Sequence, residues 1–266
     1  MITENRNGLT LLRFENLAGA PGLRHAVSTR LGGVSPAPFA SLNLGFGAKD
    51  LPAHSAENLR RFCEALAVPF PRTVRMRQAH TATVRVIGPD FGFPPEPPAE
   101  TDALVTDLKD TPLLALSADC ALTVFYDPVR SVLAVAHSGW RGAFLNIYSQ
   151  VLAVMKLRFG SLPGELLAGV SPMISAANYP VKDDFVEKLR LLCPEEAARK
   201  SLVKEEGRTH FSLKELLKHQ LTALGVVNYE FAHRCTFAEK ELFYSRRRDG
   251  ENSGRFGLLA SLTAKV

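Results

Sequence analysis

The stretch Ala118–Gly142, ADCALTVFYDPVRSVLAVAHSGWRG, decides how this chain is read. Two apolar runs, Leu122–Tyr126 and Ser131–Ala136, are split by the turn Asp127-Pro128. A turn of that kind lays its flanking strands side by side. Cys120 stands before the first run and His137 follows the second, so a hairpin brings a thiol and an imidazole to one end of a sheet. The runs 113–117, 122–126 and 131–136 are almost continuously apolar, which suits strands covered on both faces. Asp119, beside Cys120, is expensive to bury unless it is paired.

After His137 the Gly-rich turn Ser138–Gly142 feeds a helix whose inner face is Phe144, Ile147, Val151 and Met155. A Gly-rich turn opening a helix presents free N–H groups to an anion, and Arg141 adds a bidentate fork. Upstream, Leu9–Phe14 and Leu23–Ser28 read as strands. They are followed by Ser28–Ser35, where Arg30 and two adjacent glycines suit an anion or a plain loop. Ser55 reads as the N-cap of a helix carrying Leu59, Phe62, Cys63 and Leu66 at i, i+3, i+4 and i+7, which places Cys63 in the core. Val74–Met76 and Thr83–Ile87 flank Gln78-Ala79-His80, and Pro89–Glu100 reads as an irregular loop. Downstream, Leu166–Val170, Val227–Ala232 and Phe256–Leu262 read as strands and Asp183–Leu192 as a helix. Ser212 and Glu215 form a capping box opening a helix with Leu213, Leu216, Leu217, Leu221 and Leu224.

The 266 residues are 46% hydrophobic and 22% charged, enough for a sizeable core and too apolar for wholesale disorder. The formal charge of +5 fits solvated lysines better than a nucleic-acid partner, or else a small anionic substrate. The start of the sequence is polar and no apolar run is long enough to span a bilayer. Four cysteines without a CxxC pair point to a reduced, cytoplasmic setting. The run Arg246–Arg248 is read as a solvated face or ion-pair network, with RNA or phosphate as the competing reading.

His80, Cys120 and His137 together make a metal-ligand set. Three protein ligands plus an open position is the catalytic zinc pattern, and a bound water there acidifies toward neutral pH. Asp119 either orients or relays protons in such a site or serves a structural pairing. Two imidazoles and a thiolate also suit copper. A multicopper cluster, however, needs many clustered imidazoles, and the chain has 7 histidines with no His-x-His pair.

The stretches STRLGGVS (28–35), SLNLG (41–45), RQAH (77–80), TDALVTD (101–107), SADC (117–120), AHSGWRG (136–142) and CTFAEKELFYSRRRDGENSGR (235–255) resemble the laccase-domain family of bacterial proteins. That family was formerly described as multicopper polyphenol oxidases and is associated with purine nucleoside phosphorylase and adenosine deaminase activity. Some of its members are called peptidoglycan editing factors. The resemblance implies an α/β (α+β) fold, a layered α/β/β/α sandwich forming a single compact domain over 1–266, similar to cysteine-hydrolase-like proteins. It implies Zn2+ held by His80, Cys120 and His137, with those three and Asp119 as catalytic residues. Arg30, Gln78 and Arg141 are expected to contact a purine nucleoside and phosphate. The expected protein is a cytoplasmic monomer acting on small molecules, without nucleic acid or membrane. The alternatives are a cysteine hydrolase editing peptidoglycan precursors, with Cys120 as nucleophile, and a copper-dependent polyphenol oxidase.

Overall fold

The computed structural model of the protein describes residues 1–46, 49–92, 100–205 and 207–263. Two six-stranded sheets dominate it. The first runs in the order β1 (Ile2–Arg6), β2 (Leu9–Arg13), β3 (Leu23–Ser28), β15 (Phe256–Leu262), β7 (Leu113–Ser117), β4 (Val74–Arg75). The second runs β14 (Asn228–Phe231), β10 (Leu167–Val170), β8 (Ala121–Asp127), β9 (Val132–Ser138), β6 (Ala103–Thr106), β5 (Val84–Val86). The expected hairpin is present as the antiparallel pair β8–β9, in which Leu122 faces His137 across the ladder.

Side chains alternate faces along a strand, and the core clusters follow that alternation. Leu122, Val124 and Tyr126 of β8 pack with Val27, Ala115 and Leu258 of the first sheet, forming the layer between the sheets. Ala121 and Phe125 point the other way, onto α4 (Ile147–Phe159) and α7 (Leu213–Ala223). The outer face of the first sheet is covered by α2 (Pro52–Leu66), through Leu59, Phe62 and Cys63 against Leu11, Ala26 and Leu259. The layers are therefore helix, sheet, sheet, helix, as expected. This explains why β7, β8 and β9 read as unbroken apolar runs although their pairing is largely antiparallel. Cys63 lies in the core, where burial pushes its thiol up to about 11.

A smaller sheet, β11 (Pro180–Val181), β13 (Arg208–Phe211) and β12 (Leu202–Glu205), joins α5 (Asp183–Leu192) and α6 (Glu195–Lys200) at the edge. Its short, mostly exposed strands carry no periodic apolar pattern, and the sequence reading does not find it. The exposed edge strand β1 is missed for the same reason. The short helices α1 (Glu15–Ala18), α3 (Trp140–Phe144) and α8 (Arg246–Asp249) complete the fold.

Two boundaries differ from expectation. The helix expected to start at Ser55 begins at Pro52, because proline suits a first turn that needs no N–H. Ser55 lies inside the helix and donates its hydroxyl to the Gly45 carbonyl at 2.6 Å. The helix expected after the Gly-rich turn is two helices. Asn146, at φ 53°, breaks the run and caps α4, its side chain accepting the Ser149 N–H. Ser212 does cap α7, accepting the Glu215 N–H. Most of the loop read over Pro89–Glu100, residues 93–99, lies outside the described residues.

Candidate metal centre and cleft

The sheet ends bring three scattered donors together. Cys120 sits in the turn from β7 to β8, His137 near the end of β9, and His80 in the turn between β4 and β5. One donor atom from each lies within 4.8 Å of the others. The His80 and His137 rings meet edge to face, 4.9 Å between centroids. A tetrahedral zinc with bonds of about 2.0–2.3 Å needs its ligand atoms roughly 3.5 Å apart, so the set fits such an ion with little adjustment.

Asp102, which the sequence reading leaves unassigned within the TDALVTD stretch, organises two of the three donors. It is fully buried, and its Oδ1 lies 2.8 Å from Nδ1 of His137. That contact leaves Nε2 of His137 for the shared space, the arrangement of a carboxylate–histidine–metal triad. The same carboxylate accepts the N–H groups of Ala79, His80 and Thr81 at 3.1, 3.2 and 2.8 Å, and the Thr81 hydroxyl at 2.9 Å. It thereby holds His80 in a left-handed turn, φ 58°. Burial works to raise the Asp102 pKa, but the His137 contact and the Thr81 and Ala79 amides hold it at about 2. Burial likewise opposes the charge on His137, yet the Cys120 sulfur and Asp102 raise it to about 9. On His80, burial and then the neighbouring His137 lower the pKa.

Asp119 anchors the turn carrying Cys120. Its φ is 100°, a strained value for a residue with a side chain. Its carboxylate accepts from the Thr236 and Ser245 hydroxyls at 2.7 and 3.0 Å and from the Arg247 N–H at 2.7 Å. Its carbonyl accepts the Ile174 N–H at 2.9 Å. The FYSRRRDG segment thus serves partly to hold this turn. Arg248 of the same run is spent on the carbonyls of Thr236, Phe237 and Phe243 and on Asp249, which makes it a bracing residue.

Gly139 closes the centre from the third side. A Cβ there would meet the Cys120 sulfur and Nδ1 of His80, so the glycine is set by space. Gly139, and not Gly142, precedes the first helical turn, and α3 has five residues.

The centre opens into a cleft of about 1150 Å³. His80, Asp119, Cys120 and His137 line its floor, Trp140, Tyr179 and Phe46 supply aromatic wall, and Arg75, Arg77, Arg246, Arg247, Arg255 and Lys49 supply positive charge. Gln78 is also on the wall, but its amide pairs with both the N–H and the carbonyl of Leu116 (2.9 and 2.7 Å). Arg30 lies away from this lining. It donates to the Ala40 and Lys240 carbonyls and stacks on Tyr244. Arg141 is exposed and stacks on Trp140, 4.4 Å from the ring centroid. The cleft cations other than the 246–248 run escape sequence reading because they come from three separate stretches, around residue 49, at 75–77 on and just after β4, and at 255 before β15.

The sequence profile described as multi-copper polyphenol oxidoreductase laccase matches residues 24–263. The chain belongs to that family. The laccase-family chain is 34% identical to the purine nucleoside phosphorylase YlmD of Geobacillus stearothermophilus, over 89% of this chain and 90% of that protein. It is 34% identical to a purine nucleoside phosphorylase of Deinococcus radiodurans, over 96% and 94%. The crystal structure of YlmD from Geobacillus stearothermophilus superimposes with a TM-score of 0.87 at 30% identity, covering 98% of both chains. That of the Bacillus licheniformis hypothetical protein YfiH gives 0.88 at 28% identity, covering 98% of this chain and 99% of that one. Among the described residues, no helix is long and apolar enough to cross a membrane.

Proposed function

We propose that the protein is a zinc-dependent purine nucleoside phosphorylase that also deaminates adenosine. The observation that carries this reading is the cleft, which His80, Cys120 and His137 line together with aromatic side chains and six arginine and lysine side chains. Its volume suits a small-molecule site, typically about 300–1000 Å³, with room for two reactants. The relatives named as purine nucleoside phosphorylases support it at near full length.

In phosphorolysis a phosphate oxygen bonds to C1′ of the ribose while the C1′–N9 bond breaks and its electron pair passes to the purine. Cleft arginines bind the phosphate. Tyr179 and Trp140 orient the base and exclude water from it. The departing base takes up one proton. In deamination, water adds at C6 and ammonia leaves. His80, Cys120 and His137 would hold the zinc ion, which when bound supplies a Lewis acid and a water acidified toward pH 7. Asp102 keeps His137 in the orientation and tautomer that this requires.

The test is release of hypoxanthine from inosine and adenine from adenosine, with and without phosphate, beside elemental analysis of wild type and Cys120→Ala. Phosphate-dependent release, lost together with zinc in the variant, is expected. No base release at any phosphate concentration overturns the reading.

A second reading has its own observation. His137 stands between Asp102 and Cys120, the order of a base oriented by a carboxylate and facing a thiol. A cysteine hydrolase acting on peptidoglycan precursors would use that order. Under it, iodoacetamide modifies Cys120 rapidly in metal-replete protein; under the first reading metal protects the thiol. A copper oxidase is supported only by the family's name, since the gathered donors suffice for one ion. Metal analysis distinguishes it.

A further inference from the structure

We propose that phosphate binds at the part of the cleft that Arg75 and Arg255 line beside Gly45 and Phe46. The inference rests on the phosphorylase reading of the cleft and assigns its anion subsite. The Arg75 guanidinium carbon lies over the Phe46 ring, 3.7 Å from its centroid. Arg255 packs along Gly45, its Cγ 3.1 Å from where a Cβ on that glycine would stand. One nitrogen, Nη1, donates to the carbonyls of Ser253 and Gly254 at 2.7 and 2.9 Å, which fixes the fork while its other nitrogens stay available. Arg255 is close enough to Cys120 and Asp119 for their charges to act on it, so this end of the cleft adjoins the donor triad.

Among the described residues, neither guanidinium forms a salt bridge with a carboxylate. Both are partly buried, and burial lowers the pKa of each, with Arg246 adding repulsion on Arg255. Two partly desolvated cations in one cleft, neither in a salt bridge, are costly unless an anion completes them. A tetrahedral dianion accepts several charge-assisted hydrogen bonds from two such forks. Of the other cleft cations, Arg246 pairs with Glu251, Arg247 lies over Tyr179, 5.0 Å from its centroid, and Lys49 donates to Asn252, while Arg77 is exposed and less desolvated than Arg75 and Arg255. Arg30 is held by the Ala40 and Lys240 carbonyls, and Arg141 is exposed on the Trp140 ring without lining the cleft.

The same chemistry fits free phosphate or the phosphoryl group of a nucleotide, and titration separates them. Inorganic phosphate, inosine and inosine 5′-monophosphate are each titrated calorimetrically into zinc-loaded wild type, Arg75→Met, Arg255→Lys, Arg141→Met and the surface variant Arg158→Met. Thermal melting confirms that each is folded. Expected is phosphate binding weakened roughly ten- to a hundredfold in Arg75→Met and Arg255→Lys, and unchanged in Arg158→Met. KM for phosphate rises in parallel while KM for inosine holds. Arg255→Lys keeps the charge and loses the fork, so it registers the subsite even if Arg75→Met packs poorly. Unchanged phosphate binding in both cleft variants, or loss in Arg141→Met instead, overturns the proposal. Nucleotide binding that exceeds phosphate and inosine and depends on the two arginines overturns the free-phosphate assignment. Phosphate binding that depends on them without base release keeps the subsite and removes the phosphorylase reading.

Discussion

A Cβ placed on Gly139 would stand 2.8 Å from the Cys120 sulfur and 2.9 Å from Nδ1 of His80. The backbone at Gly139, φ −80°, suits any residue, so the constraint is space around the donors. Gly139→Ala should therefore fold normally by circular dichroism and purify without stoichiometric metal. Full metal occupancy in that variant would remove the steric account of the centre.

Asp102 ties His137 and the His80 turn to one carboxylate. Asp102→Asn keeps the shape and loses the charge that fixes the His137 tautomer. Metal affinity, measured by chelator competition, should fall about 10–100-fold. Asp102→Ala also orphans the amides of Ala79, His80 and Thr81, and should lose about 3 kcal/mol in denaturant unfolding. Equal metal affinity in wild type and Asp102→Asn would show that the carboxylate acts on packing alone.

His25 carries a pH dependence unrelated to the cleft. Its Nε2 accepts the Phe14 N–H at 3.1 Å, and its ring stacks on Phe14 within the core. Burial, and then the nearby Arg13 cation, lower its pKa to about 3. Unfolded, it titrates near 6.5. Below about pH 6.5 the unfolded chain binds the proton and the native chain does not, so stability falls as pH falls toward 3. The slope approaches about 1.4 kcal/mol per pH unit. Above 6.5 this contribution is complete. Urea unfolding of wild type and His25→Gln from pH 7 to 4 should show a difference that shrinks with acidity; a constant difference refutes it.

The two sheets and α1 meet at Gly169, where a Cβ would lie 2.4 Å from Phe14 Cδ2. Gly169→Ala must displace a fully buried phenylalanine. It should cost about 1–3 kcal/mol, read as a lowered denaturation midpoint with unchanged slope. Phe14→Leu in the same background should recover part of the loss.

The layered core was legible because β8 and β9 write their burial as apolar runs and α2 writes its own as Leu59, Phe62, Cys63 and Leu66. The donor triad was legible from motifs, and the structure gathers it. Asp102 was not, because one aspartate before an apolar strand has no local pattern; its meaning is tertiary, spread over the turn at 79–81 and across to β9. The same holds for Arg75 and Arg255, which belong to β4 and the approach to β15 and share only the cleft they line beside residues 45–46. The small sheet was missed because its exposed strands lack the alternation that burial imposes.

The position of β15 has a consequence for biosynthesis. This strand lies between β3 and β7, joining residues 23–28 to residues 113–117. Until residues 256–262 have emerged from the ribosome, the first sheet exists as two halves with unpaired inner edges, and until residues 245–247 have emerged, the Cys120 turn lacks the partners that brace it. The turn that carries Cys120 is thus braced only once this downstream segment has been made. An interrupted chain would expose sticky strand edges to its neighbours.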